Sequence, residues 1–175
     1  MKNVNLKSTT KLMAVLAIAT FDVRAGETTH VANTPERRRI VVSIPDRKLV
    51  LLEGDRVLRI YEVAVGKRST PTPQGKFAII NRVLNPTYYA RSGAVAPGAN
   101  NPLGSRWMGL SAQGYGIHGT NVPSSIGKAA SHGCVRMREQ DLKELFEMVT
   151  VGTTVELQGE PSGLLTKILS DTASE

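Results

Sequence analysis

Residues 39–65 read RIVVSIPDRKLVLLEGDRVLRIYEVAV. Three apolar, β-branched runs (39–44, 49–53 and 56–65) are separated by two turn signals, Pro45-Asp46 and Gly54-Asp55. Glycine at the first position of a two-residue link suits a primed hairpin turn, which needs positive φ there. In the third run Val57, Arg59, Tyr61 and Val63 alternate with Leu58, Ile60 and Glu62, a period near two. The stretch predicts a β-meander, and with it a mostly-β domain of sandwich or meander type.

The rest of the chain extends this reading. Dense turn punctuation over 66–75, including Thr70-Pro71-Thr72-Pro73-Gln74-Gly75, precedes a predicted strand at 76–80. Residues 85–105 are rich in Gly, Pro and Asn and predict one long loop, of the kind that commonly binds or covers a substrate. Short strands are expected at 106–111 and 115–118, and a closing strand at 154–157. One helix is clear, at 139–149: Leu142, Leu145, Phe146 and Val149 stand at i, i+3, i+4 and i+7, with charges on the opposite face. Gly152 lies just beyond it as a terminator. The tail, 159–175, carries Leu164, Leu165, Ile168 and Leu169 and reads as a short docking helix. No internal repeat or second domain is visible, so 39–158 is expected to be one domain.

The N-terminus predicts export. Lys2, Lys7 and Lys11 form a basic start, residues 12–21 are uncharged and apolar, and Val23-Arg24-Ala25 offers a cleavage site. Ten residues of helix rise about 15 Å, half a hydrocarbon core, so residues 1–25 are expected to be a signal peptide rather than a transmembrane anchor. Residues 26–38 read as a short polar leader. Over the whole chain 22 Lys+Arg face 15 Asp+Glu, and four of the basic residues lie in the signal. The remaining surplus, with aromatics at only 5%, argues against nucleic acid as a partner. A single Cys excludes an internal disulfide framework and any Cys-rich zinc module. In an exported chain an unpaired thiol points to reactivity.

That thiol sits in Ser131-His132-Gly133-Cys134-Val135-Arg136-Met137, and Ile117-His118-Gly119-Thr120-Asn121 precedes it. A histidine that takes the thiol proton makes a nucleophile and can later protonate a leaving amine. Such a thiol is expected to titrate below a free cysteine. Gly119 and Gly133 permit tight turns that can aim N–H groups at a developing oxyanion. On residues alone the pattern fits a cysteine acyl-transfer enzyme. It also fits a buried cysteine acting as a small hydrophobe, a structural His132, and an Arg136 paired with Glu139 on the surface. A Cys/His/His metal site lacks a fourth ligand, so no metal or cofactor is expected.

His-Gly-Thr followed by Ser-His-Gly-Cys-Val-Arg-Met resembles the signature of the L,D-transpeptidase catalytic domain. So do the blocks from Thr70 to Phe77, Asn101 to Met108, Ile126-Gly127 and Gly152-Thr153-Thr154-Val155. The resemblance implies that fold and an exported enzyme, in the periplasm or cell wall, acting on peptidoglycan stem peptides. It casts Cys134 as nucleophile and His118 as base and acid, oriented by the Gly119 carbonyl, with an oxyanion hole around Gly133 and Cys134. His132, Arg136, Thr120 and Ser131 fall at motif positions expected to meet substrate. The acceptor would be a second stem peptide, the lysine of a wall-attached lipoprotein, or water, in which case the enzyme is a hydrolase. The rival of another class is a non-catalytic wall-binding protein.

Overall fold

A computed structural model describes residues 37–161 together with Gly163, Thr166, Lys167 and Ser170. The expected signal peptide, almost all of the leader and most of the 159–175 tail lie outside the described residues; the four tail residues named are helical.

The meander is present as β1 (Arg38–Ser43), β2 (Lys48–Glu53) and β3 (Arg56–Gly66), paired antiparallel with Ile40 opposite Leu51 and Glu53 opposite Arg56. Gly54 takes φ +58° in the β2–β3 link, as the turn chemistry requires. The alternation within β3 is not continuous, however. A bulge sets Arg59 opposite Leu51 but Val57 opposite Leu52, so Leu58 is the extra residue. Tyr61, Val63 and Val65 therefore face the main core, while Val57 joins Ile60 against a second cluster of Val41, Val50 and Leu52 on the other face. One inserted residue reverses the facing of every residue before it.

The chain continues as β4 (Gly75–Leu84), β5 (Tyr88–Ala90), β6 (Gly93–Val95), β7 (Arg106–Leu110), β8 (Gly116–His118), β9 (Ala129–Ser131), β10 (Val135–Met137), α1 (Glu139–Met148) and β11 (Thr154–Gln158). The main sheet runs β10-β8-β7-β4-β11-β1-β2-β3-β9, and β10 also pairs with β3. Eight strands thus close into a ring, which removes the open edges a flat sheet would expose. Most pairs are antiparallel; β1–β11, β8–β10 and β3–β9 are parallel.

Within residues 37–158 the described residues are mostly β with one α-helix, as expected, and the differences are local. β4 extends past Ile80 to Leu84 through polar Asn81 and Arg82, because Asn81 accepts from Trp107 Nε1 and Gly109 N while the Arg82 guanidinium lies 3.9 Å over the Phe146 ring. The loop at 85–105 holds a hairpin, β5–β6, with Tyr89 opposite Ala94. α1 ends at Met148, one residue early, and Gly152 follows at φ +91°. Leu142, Leu145 and Phe146 pack the helix on a core that includes Ile40, Met108, Ile117, Met137 and Val155. Leu145 is fully buried there. Leu145→Ala should lower the unfolding free energy by about 2–5 kcal/mol in urea denaturation. An exposed change on the same helix, Glu147→Ala, should stay within about 0.5 kcal/mol.

Candidate active site

Register carries the sequence motifs to one place. His118 closes β8, paired with Trp107 of β7 on one side and with Arg136 of β10 on the other. Cys134 lies just before β10, in the turn that links it to β9. His118, Cys134, His132, Ser131 and Arg136 line one cavity of about 660 Å³.

His118 is 5% exposed, and its Nδ1 lies 2.6 Å from the Gly119 carbonyl oxygen. A carbonyl only accepts, so Nδ1 carries the proton and Nε2 is left with a free lone pair. Trp107 stacks on the imidazole at 5.7 Å between centroids, 24° from parallel. The Gly119 peptide is itself held: its N–H donates to the Leu103 carbonyl at 2.8 Å, and Gly104 (φ +66°) packs against it. A Cβ on Gly104 would come within 2.8 Å of the Gly119 Cα. Behind this contact Glu139 accepts from the Ser105 amide at 3.3 Å and from the Ser105 hydroxyl, with Lys143 Nζ 3.4 Å away.

The turn that holds Cys134 is braced as firmly. Ser131 Oγ donates to the Cys134 carbonyl at 2.6 Å and accepts from Gly133 N at 3.0 Å. The Ser131 carbonyl accepts from Lys67 N at 3.1 Å and from Thr70 Oγ1 at 3.2 Å. Gly133 holds φ +116°, and a Cβ there would meet Tyr115 Cε1 at 2.5 Å and the Pro71 carbonyl oxygen at 3.2 Å. Only glycine fits both the conformation and the space.

Burial sets the charge state of the pair. It lowers the His118 pKa to about 4, with the Arg136 charge adding to the fall and the Gly119 hydrogen bond opposing it. It also raises the Cys134 thiol above its ordinary range, against the pull of a Gly116 backbone hydrogen bond and of Arg136. The expectation of a thiol that titrates below a free cysteine is therefore corrected. At neutral pH the site holds a neutral thiol and a neutral imidazole, because neither ion is well solvated there.

Other expectations shift with the geometry. Thr120 does not line the main cavity: its Oγ1 accepts from Val122 N at 3.0 Å, and it borders a neighbouring pocket with Ser105 and Glu139. Arg136 does not pair with Glu139; its buried Nε has no hydrogen-bond partner among the described residues. Trp107, Tyr88, Tyr89 and the Ser105–Glu139 brace were not singled out from sequence, although Ser105 and Trp107 fell within a quoted motif block.

The L,D-transpeptidase catalytic domain family model matches residues 37–157. A Bacillus licheniformis protein carrying the name L,D-transpeptidase YkuD is 48% identical over 119 residues, 68% of this chain and 64% of that protein. An Escherichia coli protein carrying the name L,D-transpeptidase YcfS is 33% identical over 144 residues, 71% of this chain and 45% of its own length. The chain thus spans under two thirds of these relatives. Among solved structures, the Ldtfm–avibactam carbamoyl enzyme aligns with a TM-score of 0.61 at 28% identity, over 72% of this chain and 50% of that one.

The imidazole's depressed pKa has a stability consequence. Between the unfolded value near 6.5 and the folded value of about 4, the unfolded chain binds a proton that the folded chain refuses. His118 therefore costs stability as pH falls through that window, up to about 3 kcal/mol. Urea titrations at pH 7 and pH 4 should show His118→Gln losing less stability than the parent across the interval. Equal losses would contradict the buried neutral imidazole.

Proposed function

This chain belongs to the L,D-transpeptidase catalytic-domain family, and from that premise we propose that it is an exported peptidoglycan acyltransferase working through a thioester on Cys134. The carrying observation is the cavity shared by Cys134 and a His118 whose Nδ1 is committed to the Gly119 carbonyl. That commitment leaves Nε2 as the base.

Because both groups are neutral at rest, the proton moves as the sulfur attacks. Cys134 Sγ bonds to the carbonyl carbon of the third stem residue, a diaminopimelate, and His118 Nε2 takes the thiol proton. The tetrahedral oxyanion is met by a backbone amide. Gly133 N–H is already engaged with Ser131 Oγ, so this role falls to the Cys134 N–H. The imidazolium then passes its proton to the departing D-alanine amine as the C–N bond breaks, which leaves the thioester. An acceptor amine reverses the sequence: it gives a proton to Nε2 as its nitrogen bonds to the acyl carbon, and the C–S bond then breaks as the imidazolium returns that proton to the departing sulfur. Acceptor candidates are the diaminopimelate amine of a second stem peptide or the lysine of a wall-attached lipoprotein. Arg136 is the residue proposed to grip a stem carboxylate, because it lines the cavity and forms no ion pair among the described residues. Peptidoglycan lies outside the cytoplasm, so the site of action is the periplasm or cell wall.

Incubation with tetrapeptide muropeptides and mass spectrometry of the products is the test. The expected result is cross-linked dimers with release of D-alanine, abolished in Cys134→Ala and slowed about 10²–10⁴-fold in His118→Ala. Tripeptides without dimers would identify a hydrolase. Absence of any product, or product that persists in Cys134→Ala, would overturn the mechanism.

A further inference from the structure

We infer that the cavity opens onto a cationic face that selects donor stems with free carboxylates over stems whose carboxylates are carboxamides; this rests on peptidoglycan stems being the substrate. From residue 63 to residue 138 the chain contains no Asp or Glu, yet it carries nine Lys and Arg. Every residue lining the cavity lies within that stretch. The acids on either side are occupied elsewhere: Glu62 pairs with Lys48 and Arg138, and Glu139 is held by Ser105 and Lys143 behind Gly119.

The cations of the stretch divide into two groups. Lys76 and Arg138 are in ion pairs, Arg82 lies over Phe146, and Arg106 donates to Ser105. Lys67, Arg68, Arg91, Lys128 and Arg136 form no ion pair among the described residues. One of these five lines the cavity, and the other four lie in segments that adjoin residues of its lining. Arg136 lines the cavity itself. Lys67 and Arg68 belong to the turn that hydrogen-bonds the Ser131 carbonyl, beside cavity-lining His132. Lys128 directly precedes β9, which ends at cavity-lining Ser131. Arg91 sits in the turn of the β5–β6 hairpin, whose Tyr88 and Tyr89 also line the cavity.

A cavity wall without carboxylates, with Arg136 in it and further unpaired cations in the adjoining segments, raises the local concentration of an anionic ligand, and salt screens the effect. Replacing a ligand carboxylate by a carboxamide keeps its shape but removes its charge. The loss is then felt at Arg136 as one charge-assisted hydrogen bond and at the rim as weaker long-range attraction.

The test measures binding apart from turnover. Titration calorimetry on full-length Cys134→Ala compares a free-acid disaccharide-tetrapeptide with the same molecule amidated at its glutamate and diaminopimelate carboxylates. The free acid should bind about tenfold or more tightly at low ionic strength, the size of one charge-assisted hydrogen bond. The ratio should narrow in 0.5 M salt, and again when Arg68→Gln and Lys128→Gln are added with the melting temperature unchanged. Equal Kd values, or a ratio untouched by both salt and the double change, would overturn the inference. Failure of the parent to turn over either peptide while the Kd ratio persists would remove the proposed reaction and leave the binding preference standing. Failure of both peptides to bind at millimolar concentration would overturn both.

Discussion

The contact between His118 Nδ1 and the Gly119 carbonyl oxygen, 2.6 Å, is the constraint on which the site depends. A peptide carbonyl can hold an imidazole in one tautomer but brings no formal charge to stabilise the imidazolium. In a buried position the ring therefore stays neutral, and its free nitrogen is a base rather than an ion-pair partner. The fold is arranged to keep that carbonyl still. Gly119 N–H is tied to Leu103, Gly104 admits the close approach that any Cβ would block, and Glu139 at the start of α1 secures Ser105. The helix is thus linked both to the core and to the Gly119 peptide.

The thiol side obeys the same logic. Ser131, Thr70, Lys67 and Gly133 fix the turn by hydrogen bonds and steric fit, yet they bring no ionic partner close to the sulfur. Burial then disfavours the thiolate, and the Gly116 backbone hydrogen bond and the Arg136 charge only moderate that effect. A pair that is neutral at rest suits a nucleophile kept quiet until a carbonyl and an oxyanion donor are in place. Formal charge lies instead at Arg136 in the cavity lining and on cations of adjoining segments that form no ion pair among the described residues.

How much was legible in the sequence depended on how local each signal was. The meander was readable because its turn residues and apolar runs act over a few positions, and α1 because one face repeats cleanly. That Cys134 and His118 share one cavity was anticipated because both sit in short glycine-flanked motifs. β5, β6, β9 and β10 were not, since three-residue strands carry no period and exist only through their partners. The bulge at Leu58 was hidden because an extra residue shows only against the opposing strand. Thr120 turned to another pocket because its hydroxyl closes a local turn onto Val122. The direction of the thiol shift was invisible for a different reason: burial is a property of the assembled fold, and the motif contains the base without its dielectric surroundings.

The claim at the centre of this account is a neutral, Nδ1-protonated His118 beside a neutral thiol. Nitrogen NMR of the ring, on protein labelled with ¹⁵N-histidine and assigned with His118→Gln, reads both protonation and tautomer. At neutral pH the account requires a protonated Nδ1 and an unprotonated Nε2. An imidazolium, or the Nε2–H tautomer, at that pH would contradict it.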